Sequence, residues 1–210
     1  FNKGSGWYWW KGAASADWAT EANWYGGALP TISQHVTISK GKDYDPTIDE
    51  TAACNDLGIG DGTIVTVNAG ADLTANDDIW VCSGGEFELN GGTVTVSDGF
   101  RSVANSTVDI NGGTLNIGVD WELDYDGNSA KGTIELSGGT INVTDDCYFS
   151  SSSVTGTMTG DFQLNIGDAF YINDNGWSTV TGGTINLTGA NAGSYVDITS
   201  DRKSGSAGMP

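Results

Sequence analysis

The feature that most constrains this chain is a repeated unit of strand, glycine pair and strand. Glu86-Phe87-Glu88-Leu89-Asn90-Gly91-Gly92-Thr93-Val94-Thr95-Val96 returns as Thr107-Val108-Asp109-Ile110-Asn111-Gly112-Gly113-Thr114-Leu115-Asn116-Ile117. It returns again as Thr133-Ile134-Glu135-Leu136-Ser137-Gly138-Gly139-Thr140-Ile141-Asn142-Val143, and in shorter form as Val180-Thr181-Gly182-Gly183-Thr184-Ile185-Asn186-Leu187. Apolar and polar residues alternate on both sides of the glycines, the period of a half-buried β-strand. The threonines after the glycine pairs stand at 93, 114, 140 and 184, in steps of 21, 26 and 44. Because 44 is twice 22, a copy without its glycines is expected near residue 162, where Phe162-Gln163-Leu164-Asn165-Ile166 stands. A period in the low twenties is that of a β-solenoid, in which each repeat is one coil stacked on the last.

A third strand per repeat completes the coil. It carries Ile79 and Val81, then Phe100, Trp121 and Leu123, Cys147 and Phe149, Phe170 and Ile172, and Val196 and Ile198. Three strands per coil of about 22 residues predict an all-β, right-handed parallel β-helix of roughly six coils. Phe87, Leu89, Val94, Val96, Val108, Ile110, Leu115, Ile117, Ile134, Leu136, Ile141 and Val143 are its inward residues. The expected division is a Trp-rich head or cap over 1–35, the β-helix over 36–203 and a linker-like tail over 204–210.

With 27 acidic residues against 8 basic, the formal net charge is -19, which sets the chain against nucleic acid and against anionic membrane surfaces. No stretch approaches the ~18–20 apolar residues of a membrane span, so no membrane insertion is expected. Catalysis finds little support. His35 is the one histidine and lies outside the repeats, and no nucleophile elbow or phosphate loop occurs. A lyase acting on acidic polysaccharide uses clustered Lys or Arg, and here the repeats hold Arg101 and Lys131. Glu88, Asp109 and Glu135 stack at glycosidase-compatible spacing, as pairs on any acidic solenoid do. Of the three cysteines, Cys54 and Cys82 are candidates for a disulfide between neighbouring coils, and Cys147 reads as a small buried hydrophobe.

A solenoid has open ends that must be capped or continued by another molecule. Trp7, Trp9, Trp10, Trp18 and Trp24, five of the eight tryptophans, lie in the head. With Tyr8 they either plug their own end, form an assembly interface for a second copy, or present an aromatic platform to sugar.

The pattern Trp7…Asp17-Trp18…Asn23-Trp24…Gly27…Pro30-Thr31…Val36-Thr37-Ile38, followed by Pro46-Thr47-Ile48 and Cys54-Asn55-Asp56-Leu57, resembles secreted bacterial surface proteins with β-helical repeats. The resemblance implies export and a cell-surface or adhesin-like context, and it supplies no catalytic residues.

The coil surfaces carry three further sets. Asn90, Asn111, Ser137 and Thr181, with Asn68, form a turn column suited to coil-to-coil hydrogen bonds. Thr93, Thr114, Thr140, Gln163 and Thr184 run beside Thr95, Asn116, Asn142, Asn165 and Asn186 as a flat polar face. That face is either simply solvated or an ordered array for polysaccharide or ice. Asp98, Asp145 and Asp168, with Asp120 and Asp146 beside them, and the loop residues Asp124, Asp126 and Asn128, are calcium-ligand candidates or solvated acids. Together these readings predict a non-catalytic extracellular or cell-surface structural protein that polymerises with itself. A polysaccharide-binding module is the first alternative, and a polysaccharide lyase or glycosidase the second.

Overall fold

The computed structural model describes residues 6–103, 105–123, 132–149, 154–173, 177–189 and 196–199. Its strands are parallel and wind through three faces. Face A is a nine-stranded sheet built from Trp7–Trp9, His35–Ile38, Leu57–Ile59, Ile79–Val81, Phe100–Ser102, Trp121–Leu123, Cys147–Phe149, Phe170–Asn173 and Val196–Thr199. Faces B and C belong to one twelve-stranded sheet. Two long strands, Gly85–Val96 and Thr107–Ile117, run through the corner between them, while the other coils place separate strands on each side. From His35–Ile38 to Thr184–Leu187 there are seven strand triplets and hence six steps along the stack. The expected β-solenoid, its period and its third strand are all present.

Alternation puts every second side chain inside, and the twelve residues expected to point inward are all buried. Register fixes which residues stack. The inward column of face A reads Tyr8, Val36, Leu57, Ile79, Phe100, Trp121, Cys147 and Phe170. Phe100 packs edge-to-face on Phe87 and Trp121, with ring centroids 5.3 and 5.9 Å apart, and Trp121 packs on Phe149 at 4.9 Å. Such pairs are favoured by the ring quadrupole beyond the area they bury. Cys147 occupies its place in this column as a small hydrophobe, fully buried.

The corner between faces B and C explains the glycine pairs. Gly92, Gly113 and Gly139 have φ of 71°, 79° and 81°, which side chains rarely adopt. A Cβ on Gly113 would also lie 2.5 Å from the Gly92 carbonyl oxygen, so the stacked corner has no room for one.

The head folds into the stack. Trp7–Trp9 pairs in parallel with His35–Ile38 as the first strand of face A. The chain then returns, and Trp10 bridges Trp24 in antiparallel fashion while the Tyr25 N–H donates to the Trp9 carbonyl at 3.0 Å. The Trp18 N–H donates to the Thr47 carbonyl at 3.0 Å, and Thr47 returns a bond to Ala16 at 2.7 Å, so the head also covers the first strand of face B. Trp10, Trp18 and Trp24 pack ring on ring, with the Trp18 and Trp24 centroids 4.6 Å apart. Their turn is fixed by the buried Asn23 amide. Its oxygen accepts from the Ala14 and Ser15 N–H groups at 2.9 and 3.1 Å, and its nitrogen donates to Ser15 Oγ and the Asp17 carbonyl.

Two expectations are corrected here. Trp10, Trp18 and Trp24 are 0, 3 and 1 % exposed, so they belong to the chain's own core and do not form an interface for a second copy. Cys54 and Cys82 are free thiols. Their separation of 28 residues exceeds one coil, so they stand on different corners: Cys54 closes a strand of face C and Cys82 follows a strand of face A. Burial, with Asp56 adding to it, pushes the Cys54 thiol up to about 12.

Candidate functional site: the outer columns

The polar face runs along face C in the expected register. Thr93, Thr114, Thr140, Gln163 and Thr184 align, as do Thr95, Asn116, Asn142, Asn165 and Asn186. The asparagines bond to one another. The Asn142, Asn165 and Asn186 amides donate to the side-chain oxygens of Asn116, Asn142 and Asn165 at 2.8, 2.8 and 2.9 Å. This is an amide ladder of the kind that holds stacked strands in register. The B–C corner carries a second one, with Asn111 donating to Asn90 at 2.9 Å and Ser137 donating to Asn111 at 2.6 Å. Thr159, which the sequence reading passed over, continues this corner between Ser137 and Thr181, as the backbone bonds to Leu136 and from Thr181 to Met158 require.

The acidic corner between faces C and A holds two columns with different roles. Asp77, Asp98, Val119, Asp145 and Asp168 follow one another through backbone bonds. Asp98 is therefore separated from Asp145 by Val119, and the expected trio is not a single cluster. In the adjoining column the carboxylates cap the next coil. Asp56 accepts from the Asp78 N–H at 3.1 Å, Asp78 from Gly99 at 3.0 Å, Asp120 from Asp146 at 3.0 Å, and Asp146 from Ala169 at 2.8 Å. Asp120 and Asp146, expected beside the Asp98, Asp145 and Asp168 column, are thus capping acids, as are Asp56 and Asp78. Only register separates a capping acid from its neighbour.

Asp145, Asp146 and Asp168 do converge, with one carboxylate oxygen from each within 4.8 Å of the others, and Asp56, Asp77 and Asp78 converge likewise. Calcium takes six to eight oxygens. Asp146 already has both oxygens engaged, one by Ala169 and the other by the Tyr148 hydroxyl at 2.6 Å. Asp56 is engaged by the Asp78 N–H and His35, and Asp78 by the Gly99 N–H, Arg101 and the Trp80 indole at 3.2 Å. These bonds make Asp146, Asp56 and Asp78 amide-capping acids, with part of their oxygen sites already taken up. Asp124, Asp126 and Asn128 lie outside the described residues.

On face B, Thr66, Glu88, Asp109 and Glu135 share an outward column. Glu88 accepts from the Thr66 hydroxyl at 3.0 Å and Asp109 from the Asn111 amide at 3.1 Å. Beside them, burial raises the Glu86 carboxyl above its usual range, with Glu88, Asp109 and Glu135 adding to the effect.

Face A differs from both. Its outward column reads Trp9, Thr37, Gly58, Trp80, Arg101, Glu122, Tyr148 and Tyr171. Tyr148 and Tyr171 stack with ring centroids 4.7 Å apart and planes 6° from parallel. Arg101 donates from Nε to Glu122 at 2.9 Å, pairs with Asp78, and holds its guanidinium 5.2 Å from the Trp80 ring centre. Burial works against the Arg101 charge, but Asp78 and Glu122 outweigh it and hold the guanidinium above its usual value. The column is continuous from Tyr171 to Trp80, opens at Gly58 and Thr37, and resumes at Trp9. That opening is a hollow of about 540 Å³ lined by Trp7, Trp9, Thr37, Asp56, Gly58 and Trp80 among others. On one side of it Trp7, 46 % exposed, stacks on His35, which pairs with Asp56.

Residues 9–111 match a family described as a domain of unknown function, DUF8693. The matched segment takes in most of the head, the Gly58 opening, the strand Gly85–Val96 and the start of Thr107–Ile117. No curated protein and no solved structure matches the chain. No helix among the described residues is long and apolar enough to cross a membrane.

Proposed function

We propose that this chain is a non-catalytic structural protein of the cell surface or extracellular space, a rigid β-solenoid that displays its faces. The observation that carries the reading is the capping column, in which Asp56, Asp78, Asp120 and Asp146 hold successive coils together through their backbone amides. Acids whose oxygens accept the next coil's backbone N–H groups in this way serve to join coils. Arg101 is likewise held by Asp78 and Glu122, away from the role of a lyase cation. The nine strands of face A stack over about 38 Å at ordinary strand spacing, the length of a short rod. The surface location rests on the acidic, Gly-rich composition and on the resemblance to secreted β-helical surface proteins.

The test combines location and chemistry. Intact producing cells are labelled with a membrane-impermeant reagent, and the purified chain is incubated with neutral and acidic polysaccharides. The reading predicts labelling on intact cells and no release of reducing or unsaturated ends. Cleavage that disappears on Glu88→Gln or Asp109→Asn would make the chain a polysaccharide-degrading enzyme instead.

Self-association is the second reading. It is favoured by Val196–Thr199, an edge strand of face A with one neighbour among the described residues. The opposite edge is partly closed by residues 23–25, so a joint there rests on Trp7 and Trp9. Light scattering over a concentration series tests it: growth in mass with concentration supports end-to-end assembly, and a constant monomer mass rejects it.

A further inference from the structure

The opening in face A is produced by a glycine that the backbone does not require. Gly58 sits in the middle of the strand Leu57–Ile59, outside the positive-φ residues of the chain. A Cβ built there meets nothing closer than the Val36 carbonyl oxygen at 3.7 Å, an ordinary contact. Gly60, two residues on, is different: its Cβ would come within 2.9 Å of the Ile38 oxygen. Glycine inside a strand weakens it, and where packing does not demand one it marks a place that something else approaches closely. The other positions of this outward column all carry side chains, most of them large.

The walls indicate what approaches. Trp9 and Trp80 stand three coil steps apart in one column, about 14 Å, with Gly58 and Thr37 as the floor between them. Trp7 flanks the hollow and Asp56 supplies a carboxylate at its edge. Indole rings beside a flat floor match the C–H faces of sugar rings. The Thr37 hydroxyl at the floor matches sugar hydroxyls, which donate as well as accept. A formal charge of -19, with Asp56 and Asp78 at the site, disfavours an anionic ligand. We propose that the hollow over Gly58, between Trp9 and Trp80, binds a short stretch of uncharged glycan. The site is separate from the Thr/Asn face and goes beyond the structural role proposed above.

The test is calorimetric titration of the intact chain with neutral oligosaccharides: β-1,4-glucan, β-1,3-glucan, mannan and chitin fragments. At least one is expected to bind saturably. Trp9→Ala and Trp80→Ala should each weaken that binding by about tenfold or more. Gly58→Val should abolish it without lowering the melting temperature, because the added side chain occupies the floor and valine favours strands. Gly58→Ala supplies a milder variant read in the same way. Absence of saturable binding to every fragment overturns the proposal, as does binding that survives Gly58→Val. Binding of tetramethylammonium with none of any sugar overturns it in favour of a cation site.

Discussion

Face C and face A are built by the same winding chain, yet their outer columns are used differently. Along face C, one residue type recurs at Asn116, Asn142, Asn165 and Asn186, and each asparagine bonds to the next. Along face A no residue type persists, and stacked rings, an ion pair and a bare glycine follow one another. A regular column satisfies itself and stiffens the rod. An irregular column leaves space where its size changes abruptly, and such space is where a ligand can enter. The repeat that makes the fold easy to recognise therefore draws attention to the face least suited to recognition.

The comparison is broken most severely through the core that both faces share. Leu115, fully buried beneath face C, when replaced by Asp leaves an uncompensated charge inside the stack. A loss of more than about 4 kcal/mol in urea unfolding is expected, with several coils melting together because each is stabilised by its neighbours. Loss of amide protection confined to one coil would contradict the stack.

Asn142→Ala comes next. It removes the bond donated to Asn116 and the one accepted from Asn165, both 2.8 Å. At about 0.5–1.5 kcal/mol per bond the expected cost of the two bonds is about 1–3 kcal/mol, read as a lower urea midpoint. An unchanged midpoint would mean that the ladder adds nothing and that face C is free for other partners.

Gly58→Ala should act with the opposite sign. It adds a side chain where there is room and should raise stability by about 0.5–1 kcal/mol, seen as a higher melting temperature. Destabilisation would show that Gly58 is required by the fold, and the contrast between the faces would then lose its basis.

Asp120→Asn is the smallest effect. Burial raises the Asp120 carboxyl above its ordinary 3.8, Asp145 and Asp146 raise it further, and the Asp146 N–H pulls it partly back. The folded chain therefore holds this proton more tightly than the unfolded chain. Stability from the group is fully present below the ordinary value and is lost as pH rises through the raised one. The amide keeps the acceptor and removes the charge. Melting temperature at neutral pH should rise slightly, and its fall as pH rises above the ordinary 3.8 should become shallower. A steeper fall would mean that the ionised carboxylate, and not the acceptor alone, supports the corner.

The repeat was legible because glycine at a corner and alternation in a strand both leave residue-level signals. Gly92, Gly113 and Gly139 announced their corner, and Phe162–Ile166 could be placed from spacing alone. The head was less legible. Tryptophans that plug an end and tryptophans that join two chains have the same composition, and only the antiparallel return at Trp10 and Trp24 separates them. The acids were mixed for a related reason: Asp145 and Asp146 are adjacent in sequence, but register turns one of them toward the next coil's amide. Gly58 gave no distinguishing signal among 32 glycines, because its meaning lies in Trp9 and Trp80, which stand 49 and 22 residues away.

The most direct measurement is a nitrogen–proton correlation spectrum of the labelled chain during titration with the tightest-binding neutral oligosaccharide. Indole N–H groups and asparagine side-chain amides both appear in it, so the two faces report side by side. The account predicts that the Trp9 and Trp80 indole signals shift in a saturable way while the Asn116, Asn142, Asn165 and Asn186 amides stay in place. Movement of the asparagine amides with still indoles, or no movement at all, would contradict it.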